Sequence, residues 1–151
     1  MSRSPAVRLA LSVTLCSLLA FTAVCGADVN PAEKAAIEEV IAAQVEAWNA
    51  GNLEGFMRGY LKSDDIRFLS GANITRGWTT VFERYKKSYP DKDTMGKLSL
   101  GDFEFTDLGP ETVLLVGRWM VVNTKGEFKG VTSLIFRRTG EGWRIVHDHT
   151  S

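Results

Sequence analysis

The sequence predicts an α+β domain, with helices first and an antiparallel sheet after them. Two observations carry this. Apolar residues recur at helical spacing as far as Tyr89, and the period then switches to alternation from Lys97 onward. Short glycine-containing turns separate the later apolar runs, as in antiparallel hairpins.

The chain of 151 residues suits one domain. It opens with "MSRSPAVRLALSVTLCSLLAFTAVCGADVN". Arg3 and Arg8 precede an uncharged, mostly apolar run from Leu9 to Val24, and Cys25-Gly26-Ala27 fits a small-x-small cleavage site. That run is shorter than the roughly 20 residues a spanning helix needs. We expect a secretory signal peptide over 1–27, a domain over 28–151, and a secreted or periplasmic location with no membrane attachment after cleavage.

"NPAEKAAIEEVIAAQVEAWNAG" predicts a long helix. Asn30 can cap it, Pro31 suits the first turn, Glu33 can complete a capping box, and Gly51 can close the far end. "NLEGFMRGYL" predicts a short second helix with Leu53, Phe56, Met57 and Tyr60 inward; its two glycines leave it dependent on packing. "DDIRFLS" reads as a brief strand. "TRGWTTVFERYKKSYP" predicts a third helix ending near Pro90. Four strands follow in "KLSLGDFEFTDLG", "ETVLLVGRWMVVN", "EFKGVTSLIFRRT" and "GWRIVHDH".

The strand from Thr112 to Asn123 has two apolar faces. Val113, Leu115, Trp119 and Val121 share one, and Leu114, Val116, Met120 and Val122 share the other. Such a strand is expected to be covered on both sides. The helices can cover one side, and a second copy, in a homodimer through the sheet, is the expected cover of the other. Arg118 interrupts the second face. A charge there is costly unless paired, so Arg118 reads either as an edge residue reaching water or as a pocket arginine.

Several function classes are disfavoured. Both cysteines, Cys16 and Cys25, lie in the leader, so no thiol chemistry or cysteine metal site is expected in the domain. Formal charge is zero, and loss of Arg3 and Arg8 tips it slightly acidic. No basic footprint suggests nucleic acid, no glycine-rich loop suggests phosphate, and no cofactor is expected.

The segments "AWNAGNLEGFMRGY", Arg76-Gly77, "VGRW" and "GVTSLIFRRTGEGWRIVHDHTS" resemble the nuclear transport factor 2-like superfamily, most nearly its SnoaL-like branch, which is related to the calmodulin-dependent kinase association domain. The resemblance runs from about Pro31 to Ser151. It implies a cone: a strongly curved antiparallel sheet wrapped around a long N-terminal helix plus two shorter helices, with a pocket at the open end. It also implies dimerisation through the sheet. Enzymes of the superfamily place an aspartate or histidine in an apolar pocket; other members only bind or assemble. Arg118 matches an arginine that lines the cavity of the kinase-association branch, while Ser133 and Thr150 stand where that branch has further arginines.

The terminal "WRIVHDHTS" offers the candidate chemistry. Ideal alternation sends Trp143, Ile145, His147 and His149 to one face and Asp148 to the other. Three readings of the histidines compete. They could be metal ligands, although a site needs a third ligand such as Asp64 or Asp65. His149 or His147 could be an acid or base working with Asp64 or Asp65. Or both could be structural. No metal is the expectation. Arg118 and Asp148 could form a bidentate pair on a pocket floor, with Tyr60 as a further anchor and Trp48, Phe56, Trp78, Phe82 and Tyr85 as walls. The expected function is binding of a small, partly apolar molecule. The alternatives are an acid–base isomerase, dehydratase or hydrolase, and a dimerising assembly module.

Overall fold

The computed structural model describes residues 28–151, and the expected signal peptide lies outside the described residues. The elements run α1 (Pro31–Asn49), α2 (Leu53–Met57), β1 (Arg67–Ser70), β2 (Asn73–Arg76), α3 (Trp78–Ser88), α4 (Lys92–Met95), β3 (Lys97–Asp107), β4 (Thr112–Asn123), β5 (Gly126–Thr139) and β6 (Gly142–Thr150). The six strands form one curved, unclosed sheet in the order β2-β1-β6-β5-β4-β3. All pairs are antiparallel except β1 with β6, which are parallel. The architecture is an α+β cone.

Helix α1 starts where its sequence says it should. Asn30 accepts from the Ala32 N–H, and Pro31 occupies the first turn. Glu33 does not complete the expected capping box; its carboxylate pairs with Arg138 of β5 instead. At the far end Gly51 has φ +76°, and the Gly51 and Asn52 N–H groups donate back to Trp48 and Ala47. That is a Schellman closure, which a side chain at Gly51 would strain. Ile37, Ile41, Gln44 and Trp48 form the buried stripe, and α1 lies against β3 and β6.

Two elements exceed the expectation. β2 pairs with β1 as a four-residue hairpin arm, and α4 is a single turn capped reciprocally by Asp91 and Thr94. Both are too short to leave a period in the sequence.

The two faces of β4 differ. Val113, Leu115 and Val121 are buried on the concave face, with Gly117 and half-buried Trp119 beside them. Arg118, Met120 and Val122 are exposed on the convex face, where none of the described helices lies. Among the described residues, then, β4 is covered on one side. Beneath the helices the core gathers Ile37, Met57, Val81, Leu115, Phe136 and Ile145, each at most 1% exposed. Among the described residues no helix is long and apolar enough to cross a membrane.

One irregularity sets the site. On β6, Ile145 pairs with Phe136 and His147 pairs with Ile135, so Val146 is an extra residue. This β-bulge resets the alternation. Trp143, Ile145 and Asp148 are buried, while His147 is half-buried and His149 is exposed.

Candidate functional site

Register places a row of short hydroxyl side chains across the concave face. Ser70 of β1 pairs with Thr150 of β6, and Thr150 pairs with Thr132 of β5. One step along, Phe68, Asp148 and Leu134 form the next row. Asp148 therefore sits between an apolar row and a hydroxyl row, only 4% exposed. The Thr150 hydroxyl donates to its Oδ1 at 2.7 Å and Thr132 at 3.3 Å. The Tyr60 hydroxyl donates to Oδ2 at 2.6 Å.

Tyr60 is brought there by backbone. The segment after α2 bridges β6: the Ile145 N–H donates to Gly59, and the Leu61 N–H donates to Ile145. Gly59 permits the approach, because a Cβ at this position would overlap the Gln44 side chain. Gln44 is itself fixed by donating to the Phe56 carbonyl at 3.0 Å.

These groups lie at one side of a cavity of about 210 Å³ that opens to solvent between α1, α3 and the sheet. Trp48, Phe56, Tyr60, Phe68, Tyr85 and Tyr89 supply aromatic walls. The rings support one another edge-on: Trp48 lies 5.0 Å from Phe56 and 4.8 Å from Tyr89, and Phe56 lies 5.4 Å from Tyr85. The Trp48 indole is anchored by donating to the Met95 carbonyl at 2.9 Å. Among the described residues that line it, Asp148 is the one acid and Arg84 the one base.

Burial pushes the Asp148 carboxyl above the ordinary aspartate value, although the hydrogen bonds from Tyr60, Thr150 and Thr132 pull the other way. Burial, reinforced by the Asp148 charge, pushes the Tyr60 hydroxyl well above the usual phenol range, and the same two causes raise Tyr85. The site is thus a carboxyl group of tuned protonation, held by three neutral hydroxyls and open to a cavity. It can accept a hydrogen bond from a guest or exchange a proton with it.

Several expected site residues lie elsewhere. Arg118 does not meet Asp148: it stands on the convex face, its side chain 72% exposed, with its Nε 3.7 Å from Asp102 Oδ2. Ser133 pairs with His149 on that same face; its neighbour Thr132 is the one turned inward. His147 and His149 are turned out by the bulge, and Asp64 and Asp65 are exposed in the turn before β1, so neither catalytic pairing nor shared metal binding is assembled. Among the described residues no group of three His, Cys, Asp or Glu side chains is placed to hold a metal. Trp78 and Phe82 pack in a tilted pair, ring centroids 5.1 Å apart, outside the cavity, and the Trp78 indole donates to the Met57 carbonyl. They share a stripe of α3 with Tyr85 and Tyr89 but sit in its first half, while the two tyrosines stand at its C-terminal end. Asp148, Tyr60 and Trp48 do line the cavity. Sequence reasoning missed Thr132, Ser70, Phe68, Tyr89 and Arg84. Arg84 and Tyr89 had a signal, since they flank Tyr85 on the inward side of α3.

A six-stranded open cone with a cavity beside its long helix defines the nuclear transport factor 2-like class of folds. Comparison with known proteins narrows this further: a family profile described as SnoaL-like domain matches residues 37–151, and the chain belongs to that family. A nuclear transport factor 2-like protein of unknown function from Shewanella oneidensis is 32% identical, with a TM-score of 0.74, covering 78% of this chain and 98% of its own. A cystatin-like-fold domain of unknown function from Nostoc punctiforme shares the fold at 16% identity and a TM-score of 0.67, covering 81% of this chain and 78% of its own. So does a nuclear transport factor 2-like superfamily protein from Salmonella enterica, at 20% identity and 0.64, covering 80% and 90%. Among curated proteins, none matches.

Proposed function

We propose that this domain binds a small, partly apolar molecule in the cone cavity, with Asp148 and Tyr60 as its polar anchors. The observation that carries this reading is a buried carboxyl group in an open aromatic cavity whose three hydrogen-bond partners are all neutral hydroxyls. A carboxylate offers about four acceptor positions, so one remains for a donor on the guest. Size bounds the guest. An apolar cavity of about 150 Å³ holds one benzene, so about 210 Å³ suits a single ring with short substituents rather than a fused polycycle.

p-Cresol is a suitable first probe, with one donor and one apolar body. At about a hundred times its dissociation constant it should add roughly 2.7 kcal/mol to stability. The expected result is an upward thermal shift in wild type that Asp148→Ala removes. No shift with p-cresol or any other single-ring phenol would overturn the reading.

The raised Asp148 carboxyl favours one second reading, an acid–base enzyme in which Asp148, not a histidine, moves the proton. The open interior weighs against an assembly module with a vestigial pocket, which would be expected to fill that space.

We propose a second copy of the chain as the cover of the convex face. Exposed Met120, Val122 and Val131 and half-buried Leu114, Val116 and Ile135 form an apolar stripe over β4 and β5. Light scattering should give a dimeric mass at micromolar concentration and a monomeric one for Val131→Lys combined with Met120→Lys. A monomeric wild type would contradict this. We also propose export with cleavage after Ala27; sequencing of the mature N-terminus should then read from Asp28, and an N-terminus at Met1 would contradict it.

A further inference from the structure

We propose that the guest is a single-ring aromatic carboxylate whose acid group is held by Arg84 while its hydrogen-bond donor meets Asp148. This rests on the binding reading above and adds a ligand class to it.

Among the described residues that line the cavity, Arg84 is the one cation. No carboxylate of the described residues lies within ion-pair distance of it. It is nevertheless held in place. Its Nη1 donates to the Thr75 hydroxyl of β2 at 2.9 Å, and the guanidinium sits 5.0 Å from the Phe68 ring centroid. One of five donors is used, so the guanidinium keeps donors for an acid in a fixed plane. Its positive charge reaches the cavity wall, where it opposes the burial that raises Tyr85 and Tyr89.

The cavity thus offers unspent donors in Arg84 and unspent acceptor capacity in Asp148. A guest that complements both brings acceptor oxygens at one place and a hydroxyl at another, on a ring that fits the aromatic walls. para-Hydroxybenzoate has this pattern. para-Hydroxybenzamide has the same number of heavy atoms but no charge.

The test is calorimetric titration of the purified protein with para-hydroxybenzoate, para-hydroxybenzamide and p-cresol. Wild type should bind the acid roughly tenfold more tightly than the amide, in line with a charge-assisted hydrogen-bonded pair. Arg84→Gln should erase that preference while p-cresol binding stays within about twofold, and Arg84→Lys should restore part of it. Arg118→Gln, on the convex face, should leave every affinity unchanged. Equal binding of acid and amide by wild type, or a preference that survives Arg84→Gln, would overturn the assignment and leave the binding reading intact. Failure of all three probes to bind would overturn both.

Discussion

Trp48→Ala is expected to lower the unfolding free energy by about 3–5 kcal/mol, the range for deleting a buried indole. Trp48 is only 3% exposed, packs on Phe56 and Tyr89, and donates to the Met95 carbonyl. Alanine removes the ring that joins α1 to α4 and to the aromatic walls of the cavity. It also leaves the Met95 carbonyl without its partner. Trp48→Phe separates the two contributions: it keeps most of the packing and loses the hydrogen bond, at a cost of about 1–3 kcal/mol. Urea denaturation of both variants checks this. A loss within about 1 kcal/mol for Trp48→Ala would show that the ring does not organise this end of the cone.

The second large effect is at Asp148, where binding and stability move apart. Asp148→Asn should weaken binding of a phenolic guest roughly tenfold to a hundredfold, because a charge-assisted acceptor becomes a neutral one. Its stability should not fall in parallel. The folded chain holds the Asp148 proton more tightly than the unfolded chain does, since burial raises this carboxyl. The native state then binds more protons than the unfolded state through the titration window, so this group's contribution falls as pH rises. The loss begins near the ordinary aspartate value of about 3.9 and levels off once pH passes the raised native value. Asparagine does not titrate. The stability of Asp148→Asn relative to wild type should therefore increase with pH across that window and then stay flat. Urea midpoints of both proteins across acidic to neutral pH read this directly. A relative stability that decreases with pH would mean the hydrogen bonds from Tyr60, Thr150 and Thr132 outweigh burial.

The elements were legible in the sequence because each long one has a clear period. α1 is written in Ile37, Ile41, Gln44 and Trp48, and β3 to β6 in their alternation and glycine turns. β2 and α4 were not legible, because four residues carry no period. The site was legible in part. Trp48 faces inward as helix patterning requires, and Tyr60 is turned inward by the bridge to β6 that follows α2, but which face of a two-sided apolar strand meets the helices is a tertiary choice. Arg118 fell on the other face. The histidines failed for a local reason: strict alternation groups them with Trp143 and Ile145, and the single extra residue at Val146 breaks that group. The Ser70–Thr150–Thr132 row depends on the register of three strands, two of them paired in parallel, and no one segment encodes it.

The most direct test of the central claim, that the guest site is the concave cavity at Asp148, is a two-dimensional NMR titration of the protein with p-cresol. The account predicts saturable shifts at Tyr60, Thr132, Asp148 and Thr150, with Ser133, His147 and His149 on the convex side unmoved. Saturable shifts centred on the two histidines, with the Asp148 cluster silent, would contradict it.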